Sequence, residues 1–389
     1  MKQIFTLLAI FSVTFLCQTR GTINPGMSLL YQHFNNYSMA TVSLMTNICS
    51  LAIIPTSYIV GKNAGNKWKY KSIIIWMNII MLIGGIGPYF VDNLYVMLFF
   101  RTLFGIGVGI AITLHRPLII TCYSGEKQLR YLGYDTIIAS LGMIFFQTLV
   151  GILSGIEWKL MFLGYLPIIL ILGLSYFLPD IELKNETVTK ESGKISREVK
   201  LIILVFLLLS IFTNCIGVNQ ATLFSLKKFS NPVFLTASVS NINAIFSVIS
   251  GLFFNQIYQR FKNQFLIISL IISTFSISLF IFGTTELIMY IASALFGFAY
   301  NLVVLYLFLI PSKLVSSNKV AMIGGYLAVA AGIGGFLASL VMKICEYLFK
   351  EVVYSSFILC GLVFIICTII IIGLLNKKDL TLNRRKNGA

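Results

Sequence analysis

The chain has 389 residues, enough for two or three soluble domains, but 58% of it is hydrophobic and only 11% is charged, with a mean hydropathy of +0.91. So few charges cannot cover a water-facing surface, and the chain reads as an all-α protein that crosses a bilayer many times. The net charge of +16 would suggest nucleic acid on a soluble protein; here it fits the accumulation of lysine and arginine in cytoplasmic loops, and no nucleic-acid partner is expected. Cys17, Cys49, Cys122, Cys215, Cys345, Cys360 and Cys367 lie mostly inside apolar runs, and no two form a CxxC pair. Neither a zinc site nor a disulfide framework is expected from them, and nothing calls for a cofactor.

At the N-terminus, Lys2 followed by Ile4–Leu16 imitates a signal peptide. No small-x-small cleavage site follows, Leu16 precedes Cys17 where a lipoprotein signal would need a small residue, and the apolar stretch runs on to about Leu30. It reads as an uncleaved first membrane helix. Apolar runs of about 20 residues, each enough to cross roughly 30 Å of hydrocarbon, then recur at 4–32, 38–60, 72–90, 94–120, 131–154, 159–178, 200–226, 232–257, 264–283, 286–311, 320–345 and 353–375. Twelve helices in two sets of six divide the chain into an N-terminal bundle (1–178), a mixed-charge cytoplasmic linker (179–199), a C-terminal bundle (200–376) and a basic tail (377–389).

With both termini in the cytoplasm, 21 lysines and arginines fall in inside segments and five outside, a bias that decides the orientation. Arg20, Arg101 and Arg116 are left in or near the membrane. The halves echo each other at an offset near 190 residues: the basic loop Gly61–Lys71 matches Tyr258–Asn263, and the glycines of helix 5 match those of helix 11. Gln18-Thr19-Arg20-Gly21-Thr22-Ile23-Asn24 in helix 1 answers Thr213-Asn214-Cys215-Ile216-Gly217-Val218-Asn219-Gln220 in helix 7. Polar, glycine-interrupted segments at matching places in two repeats point to a midplane binding site of a secondary transporter.

Three passages carry a family resemblance. Arg101-Thr102-Leu103-Phe104-Gly105-Ile106-Gly107 is similar to an R-x-x-x-G-x-G signature. Gly142 through Gln147 to Gly151 and Gly155 resembles a glycine-rich exporter motif, without its usual proline. Glu157-Trp158-Lys159-Leu160-Met161-Phe162 looks like a W-R-x-x-F passage. The chain thus resembles the major facilitator superfamily along all twelve helices, which implies two pseudo-symmetric six-helix bundles and alternating access, usually driven by a proton or solute gradient. The loop after helix 2 fits in part: Gly61 and the basic residues including Lys67 are kept, while Gly65 stands at the aspartate position and Trp68 at the second glycine. In the family that aspartate helps latch the outward-facing state.

A charge at membrane depth is costly enough that its presence points to a partner or a wet pathway. Arg20 either holds a solute carboxylate or phosphate with its forked donors or snorkels to the headgroups and backbone carbonyls. The resemblance gives Arg101 a structural or coupling role. His115 and Arg116 either line the inner mouth of a cavity or mark the cytoplasmic end of helix 4 before Pro117. Asp135, the one acid placed inside a membrane helix, either carries a proton or pairs with Arg116 or Arg130; His115 is the other candidate that titrates near neutrality, and His33 reads as solvated. The uncharged set of Gln18, Asn24, Asn47, Gln147, Asn214, Asn219, Gln220, Asn241, Asn243, Tyr300, Asn301 and Tyr326 divides between interhelical bridges and cavity lining.

The expected solute contacts are Arg20, Asn24, Asn214, Asn219, Gln220, Gln147 and Tyr300; the expected coupling or gating residues are Arg101, Arg116, Asp135, Gly61 and Lys67. The expectation is a multi-pass, monomeric secondary transporter of the cell membrane that moves a small organic solute, anionic or neutral in preference to cationic, with protons as a possible coupling ion. A proton-coupled multidrug efflux pump and a non-transporting sensor or scaffold of the same fold are the alternatives. With no H-E-x-x-H, no P-loop and no serine or cysteine nucleophile beside a base, no catalytic or metal site is expected.

Overall fold

The computed structural model describes residues 2–64, 68–178, 197–261, 264–314, 317–349 and 351–386. Gly65, Lys67 and most of the linker lie outside these residues. Eleven helices among the described residues are long and apolar enough to cross a membrane, and a twelfth forms if Ile4–Leu16 and Thr19–His33, which meet at 48°, count as one bent span. Eleven of the twelve predicted spans therefore have an observed counterpart, the first corresponds to the bent pair, and several helices run a turn or more beyond the apolar stretch. Large apolar side chains such as Phe99, Leu170 and Phe282 stand on the outside, where only a lipid environment would accept them in such number.

The first span is broken because its residues do not sustain a helix. Helix α1 (Lys2–Leu16) gives way to 3₁₀ turns at Thr19–Gly21 and Asn24–Gly26 before α2 (Met27–His33). The Thr19 and Thr22 hydroxyls donate back to the carbonyls of Leu16 and Thr19, both at 2.8 Å, competing with the helical ladder. Pro25 then removes an N–H. Helix α3 (Met39–Asn63) starts at Ser38, whose hydroxyl accepts from the Thr41 amide at 3.2 Å. Helix α4 (Tyr70–Ile86) ends in a 3₁₀ turn at Gly87–Phe90, and α5 (Leu94–Cys122) starts at Asn93, which accepts from the Tyr95 and Val96 amides. Such caps contribute about 1 kcal/mol each. Helix α6 (Gly125–Ile156) is followed by a 3₁₀ stretch at Trp158–Tyr165 and α7 (Ile168–Ser175), which together make one span. The remaining helices are α8 (Arg197–Leu226), α9 (Pro232–Phe261), α10 (Gln264–Phe282), α11 (Glu286–Leu314), α12 (Ser317–Phe349) and α13 (Val352–Lys386).

Helix α5 runs through Pro117 to Cys122, so His115 and Arg116 sit inside the helix and not at its end.

Packing sorts the chain into two compact units that do not follow chain order. Unit 1 holds Met1–Thr189, Gly217–Asn241 and Gly335–Val353; unit 2 holds Lys190–Ile216, Ile242–Gly334 and Tyr354–Ala389.

In unit 1, α5 is the central helix, and its three alternate glycines face two neighbours. Residues four apart share a helix face and those two apart do not, so Gly105 and Gly109 turn to α3 while Gly107 turns to α4. A Cβ at Gly105 would lie 2.6 Å from the Cys49 Cα, and one at Gly109 would lie 3.1 Å from the Ile53 Cα; at Gly107 it would strike Met81. The glycine-rich motif of α6 works the same way on α1, where Gly142 meets the Phe15 backbone and leaves no room for a Cβ. Gly155, the motif's last glycine, has open space around its Cβ position.

In unit 2, α11 comes against the α9 backbone at Gly297. A Cβ at Gly297 would lie 2.9 Å from the Asn243 Cα. Ser247 donates to the Gly297 carbonyl at 3.0 Å, and Asn301 Nδ2 donates to the Ser247 carbonyl at 2.8 Å and to Ser250 Oγ at 2.9 Å. An aromatic group of Phe296, Tyr300 and Phe364 packs alongside, with centroids 5.3 to 6.0 Å apart.

Candidate functional site

The interruption of the first span is where unit 1 gathers its polar groups. Arg101, with no exposed surface, donates from Nε to the Met45 carbonyl of α3 at 2.8 Å and from Nη2 to the Arg20 carbonyl at 2.9 Å. The Arg20 carbonyl lies in the first 3₁₀ turn, where the regular helical ladder has lapsed, so the guanidinium occupies an acceptor the break left open. Its charge rests 4.6 Å from the centroid of Phe104 and 5.7 Å from that of Tyr165, an arrangement that offsets part of the burial cost through the ring quadrupoles. Nη1 is buried with no hydrogen-bond acceptor among the described residues. The Cys49 thiol donates to the Arg101 carbonyl at 3.1 Å, and Tyr165 shares a 2.7 Å hydrogen bond with Thr22. Arg101 thus pins the broken helix to α3 and α5.

Arg20 itself is only partly buried and donates through Nη1 to the Ser50 hydroxyl. Four residues on, Asn24 accepts from Thr46 at 2.9 Å, and its Nδ2 lies 3.4 Å from where a Cβ at Gly217 would stand. Ser43 and Asn47 both meet Ser339, at 2.7 and 2.8 Å. A Cβ at Gly335 would lie 2.9 Å from the Arg20 guanidinium. These contacts gather polar groups within unit 1 from the α1–α2 break, one face of α3, and short stretches of α8 and α12 that carry glycine where they come close.

A second polar centre lies further along α5. Asp135 of α6 is buried and takes three donors: Thr14 Oγ1 at 3.0 Å, His115 Nδ1 at 2.8 Å and Arg116 Nε at 3.1 Å. The partner of Asp135 is therefore Arg116, with His115 and Thr14 added; among the described residues Arg130 forms no ion pair with it. Outside the spans, burial raises the pKa of the Tyr123 phenol, with Cys122 and Tyr131 adding to the shift. Its ring packs edge-on against Tyr131, one turn before Asp135. His33 is exposed but not merely solvated, since its ring lies 4.2 Å from that of Trp158. Lys159, next to that tryptophan, pairs with Asp92 at 2.5 Å.

The structure brings Arg20, Asn24 and Arg101 together, and separately Arg116 and Asp135. Asn219 and Gln220 are buried in the α8 part of unit 1, with Gln220 accepting from Ser240 at 3.4 Å. Gln147 is buried on α6, beside Thr148, which accepts from Asn241 Nδ2 at 2.6 Å. Asn214 and Tyr300 fall in unit 2, where Asn214 donates to its own helix at the Ser210 carbonyl (2.7 Å) and Tyr300 stacks on Phe296. Gly61 is exposed, and a Cβ added there would make only an ordinary contact with Thr113.

Sequence reasoning missed Ser43, Thr46, Ser50, Thr14, Tyr165 and Ser339. A signal was available for the first three: Ser43, Thr46, Asn47 and Ser50 recur at helical spacing and make one polar stripe on an apolar helix. Nothing in the local sequence marks Thr14 or Ser339, whose roles depend on partners more than a hundred residues away.

An all-helical, many-span protein with an arginine and amides at an interrupted helix has the anatomy of a membrane transporter. The chain belongs to the Major Facilitator Superfamily, whose family model matches residues 9–339. Solved structures of the same fold include the nucleoside transporter NupG in a mutant form (TM-score 0.80, 14% identity, covering 95% of this chain and 99% of that one). A bacterial homolog of the human lysosomal transporter Spinster, inward-facing and unoccupied, has a TM-score of 0.74 at 14% identity, covering 95% of this chain and 96% of that one. A D-xylose–proton symporter has a TM-score of 0.71 at 14% identity, with 95% and 97% covered. No curated protein sequence matches the chain. Family and neighbours are transporters rather than enzymes, and the chain is a multi-pass membrane protein.

Proposed function

We propose that this chain is a secondary active transporter of a small organic solute, anionic or neutral, working by alternating access of its bundles 1–178 and 200–376 as a monomer in the cell membrane with both termini cytoplasmic. The observation that carries the reading is the charge balance of unit 1. Buried Asp135 of α6 is paired with Arg116, and Arg101 is committed to two backbone carbonyls. Arg20 is a partly exposed guanidinium that donates to Ser50 beside Asn24 and the hydroxyl stripe of α3. A cationic solute would meet net positive charge there, whereas a carboxylate, phosphate or hydroxyl-rich neutral solute would find donors. Solutes such as a nucleoside and D-xylose, named for two neighbours of the same fold, fit the neutral half of that description.

Uptake into proteoliposomes, across a panel of carboxylates, phosphates, nucleosides and sugars, tests the proposal. At least one should accumulate and should raise the melting temperature of the purified protein. A charge-assisted hydrogen bond contributes about 1.5–3 kcal/mol, so Arg20→Gln should weaken that solute's affinity by roughly tenfold or more. Unchanged affinity would remove Arg20 from the site. Absence of flux for every solute, with no thermal shift, would favour a sensor of the same fold.

A further inference from the structure

Near the ends of the spans Met39–Asn63 and Tyr70–Phe90 that face each other in sequence, α3, α4 and α5 leave an open groove of about 480 Å³. Its floor is apolar: Val60 of α3, Ile73 of α4 and Ile110 of α5 line it and are buried. Its rim is amphipathic. Lys69, at the N-cap of α4, shares one helix face with Ser72, Ile73 and Trp76, a run of about 10 Å. Trp68 completes the rim, 43% exposed, and Trp76 is 60% exposed. Two of the chain's three tryptophans therefore border one groove, and exposed tryptophan beside lysine is the pattern of a membrane–water boundary.

Unit 2 closes the matching place with its own rings. Val60 and Phe254 stand equally far beyond the two glycine contacts, Cys49 with Gly105 and Asn243 with Gly297. Phe254 packs edge-on against Phe265 at 5.9 Å, and Phe265 against Tyr306 at 5.0 Å. Unit 1 has the smaller Val60 and Ile73 there, and the space stays open.

Charge decides what fits. The sequence has no aspartate or glutamate before Asp92, and among the described residues Lys62, Lys69 and Lys71 join no ion pair. A neutral lipid would cover the apolar floor and leave these cations unmatched. An anionic phospholipid matches both parts, with a chain for the floor and a phosphate for the ammonium groups.

We propose that the groove between α3, α4 and α5 is a binding site for an anionic phospholipid. Its acyl chain lies on Val60, Ile73 and Ile110 between the two tryptophans, and its phosphate meets Lys69 and the Ser72 hydroxyl. Lys62 and Lys71 add to the attraction. The site needs the chain to lie in a bilayer and does not rest on the solute reading above.

Tryptophan fluorescence with brominated lipids tests it. Trp158→Phe keeps a ring beside His33 and leaves Trp68 and Trp76 as the only tryptophans. In phosphatidylcholine nanodiscs, brominated phosphatidylglycerol should quench this full-length variant at a roughly tenfold lower mole fraction than brominated phosphatidylcholine does. Each lysine near an anionic headgroup is worth roughly fivefold, so Lys69→Gln should narrow the gap by about that factor. Val60→Phe, which copies Phe254, fills the floor with every lysine in place and should make the two lipids quench alike. Equal quenching before that substitution overturns the proposal. A preference that survives Val60→Phe overturns it too, because the lysines then attract lipid only as a charged surface. If Trp158→Phe does not fold, the wild-type signal minus that of Trp76→Phe reads the same groove.

Discussion

Helix α5 in unit 1 and helix α11 in unit 2 occupy matching places about 190 residues apart, and each meets the helix two spans earlier through a glycine. Gly105 lies on the Cys49 backbone and Gly297 on that of Asn243. In each case a small side chain on the earlier helix also donates to a carbonyl of the later one, Cys49 to Arg101 and Ser247 to Gly297. The difference lies in charge. Helix α5 carries Arg101, His115 and Arg116, whereas α11 has no charged residue between Glu286 and Lys313 and places Tyr300 and Asn301 at its centre. One close backbone contact therefore serves both helices, and the arginine is a local addition that the fold does not need for crossing. It stands in the half whose first span is broken, with one of its donors on the carbonyl exposed by that break.

The sharpest way to break this comparison is Arg101→Ala. Two charge-assisted hydrogen bonds are lost and two carbonyls are left buried, which should destabilise the protein by about 3–5 kcal/mol. A thermal melt of the detergent-solubilised protein reads the effect, and Arg101→Lys should recover part of it through a single donor. A variant as stable as wild type would show that the interrupted helix holds without its pin.

Next in size are Gly105→Ala and Gly297→Ala. Each drives a methyl group into a neighbouring backbone and should cost about 1–3 kcal/mol; similar losses in the two variants would support the parallel, and a loss confined to one would sink it. Gly155→Ala, with open space at its Cβ position, should be neutral or stabilising by up to about 1 kcal/mol.

The smallest effect is expected at Asn301→Ala. This removes two donated bonds from the uncharged helix, and interhelical polar contacts in membranes average about 0.6 kcal/mol. A loss as large as that of Arg101→Ala would mean that unit 2 depends on its amide as heavily as unit 1 depends on its arginine.

Much of the fold was legible because lipid imposes a simple rule: a span must be about 20 residues long and apolar. Eleven stretches met it as single spans and the first as a bent pair, and the family signatures lay on α5 and α6, where Gly105, Gly109 and Gly142 proved to be close backbone contacts. In sequence 4–32 reads as one helix; the break at Thr19–Gly26 came from the structure, where Pro25 and the threonine hydroxyls interrupt the ladder. The candidate site was legible only in part. Arg20 and Asn24 announce themselves as polar residues in an apolar run, while Ser50, Thr46 and Ser339 are ordinary small residues until a partner arrives.

By itself the sequence determined the spans and the identity of the scarce charges, because hydrophobic length is a property of neighbouring residues. Only the tertiary structure decided how those charges are used: Arg101 on backbone carbonyls, Asp135 shared by Thr14, His115 and Arg116, and Arg20 beside Ser50. Those assignments depend on which helices touch, and hydrogen bonds reach no further than about 3 Å.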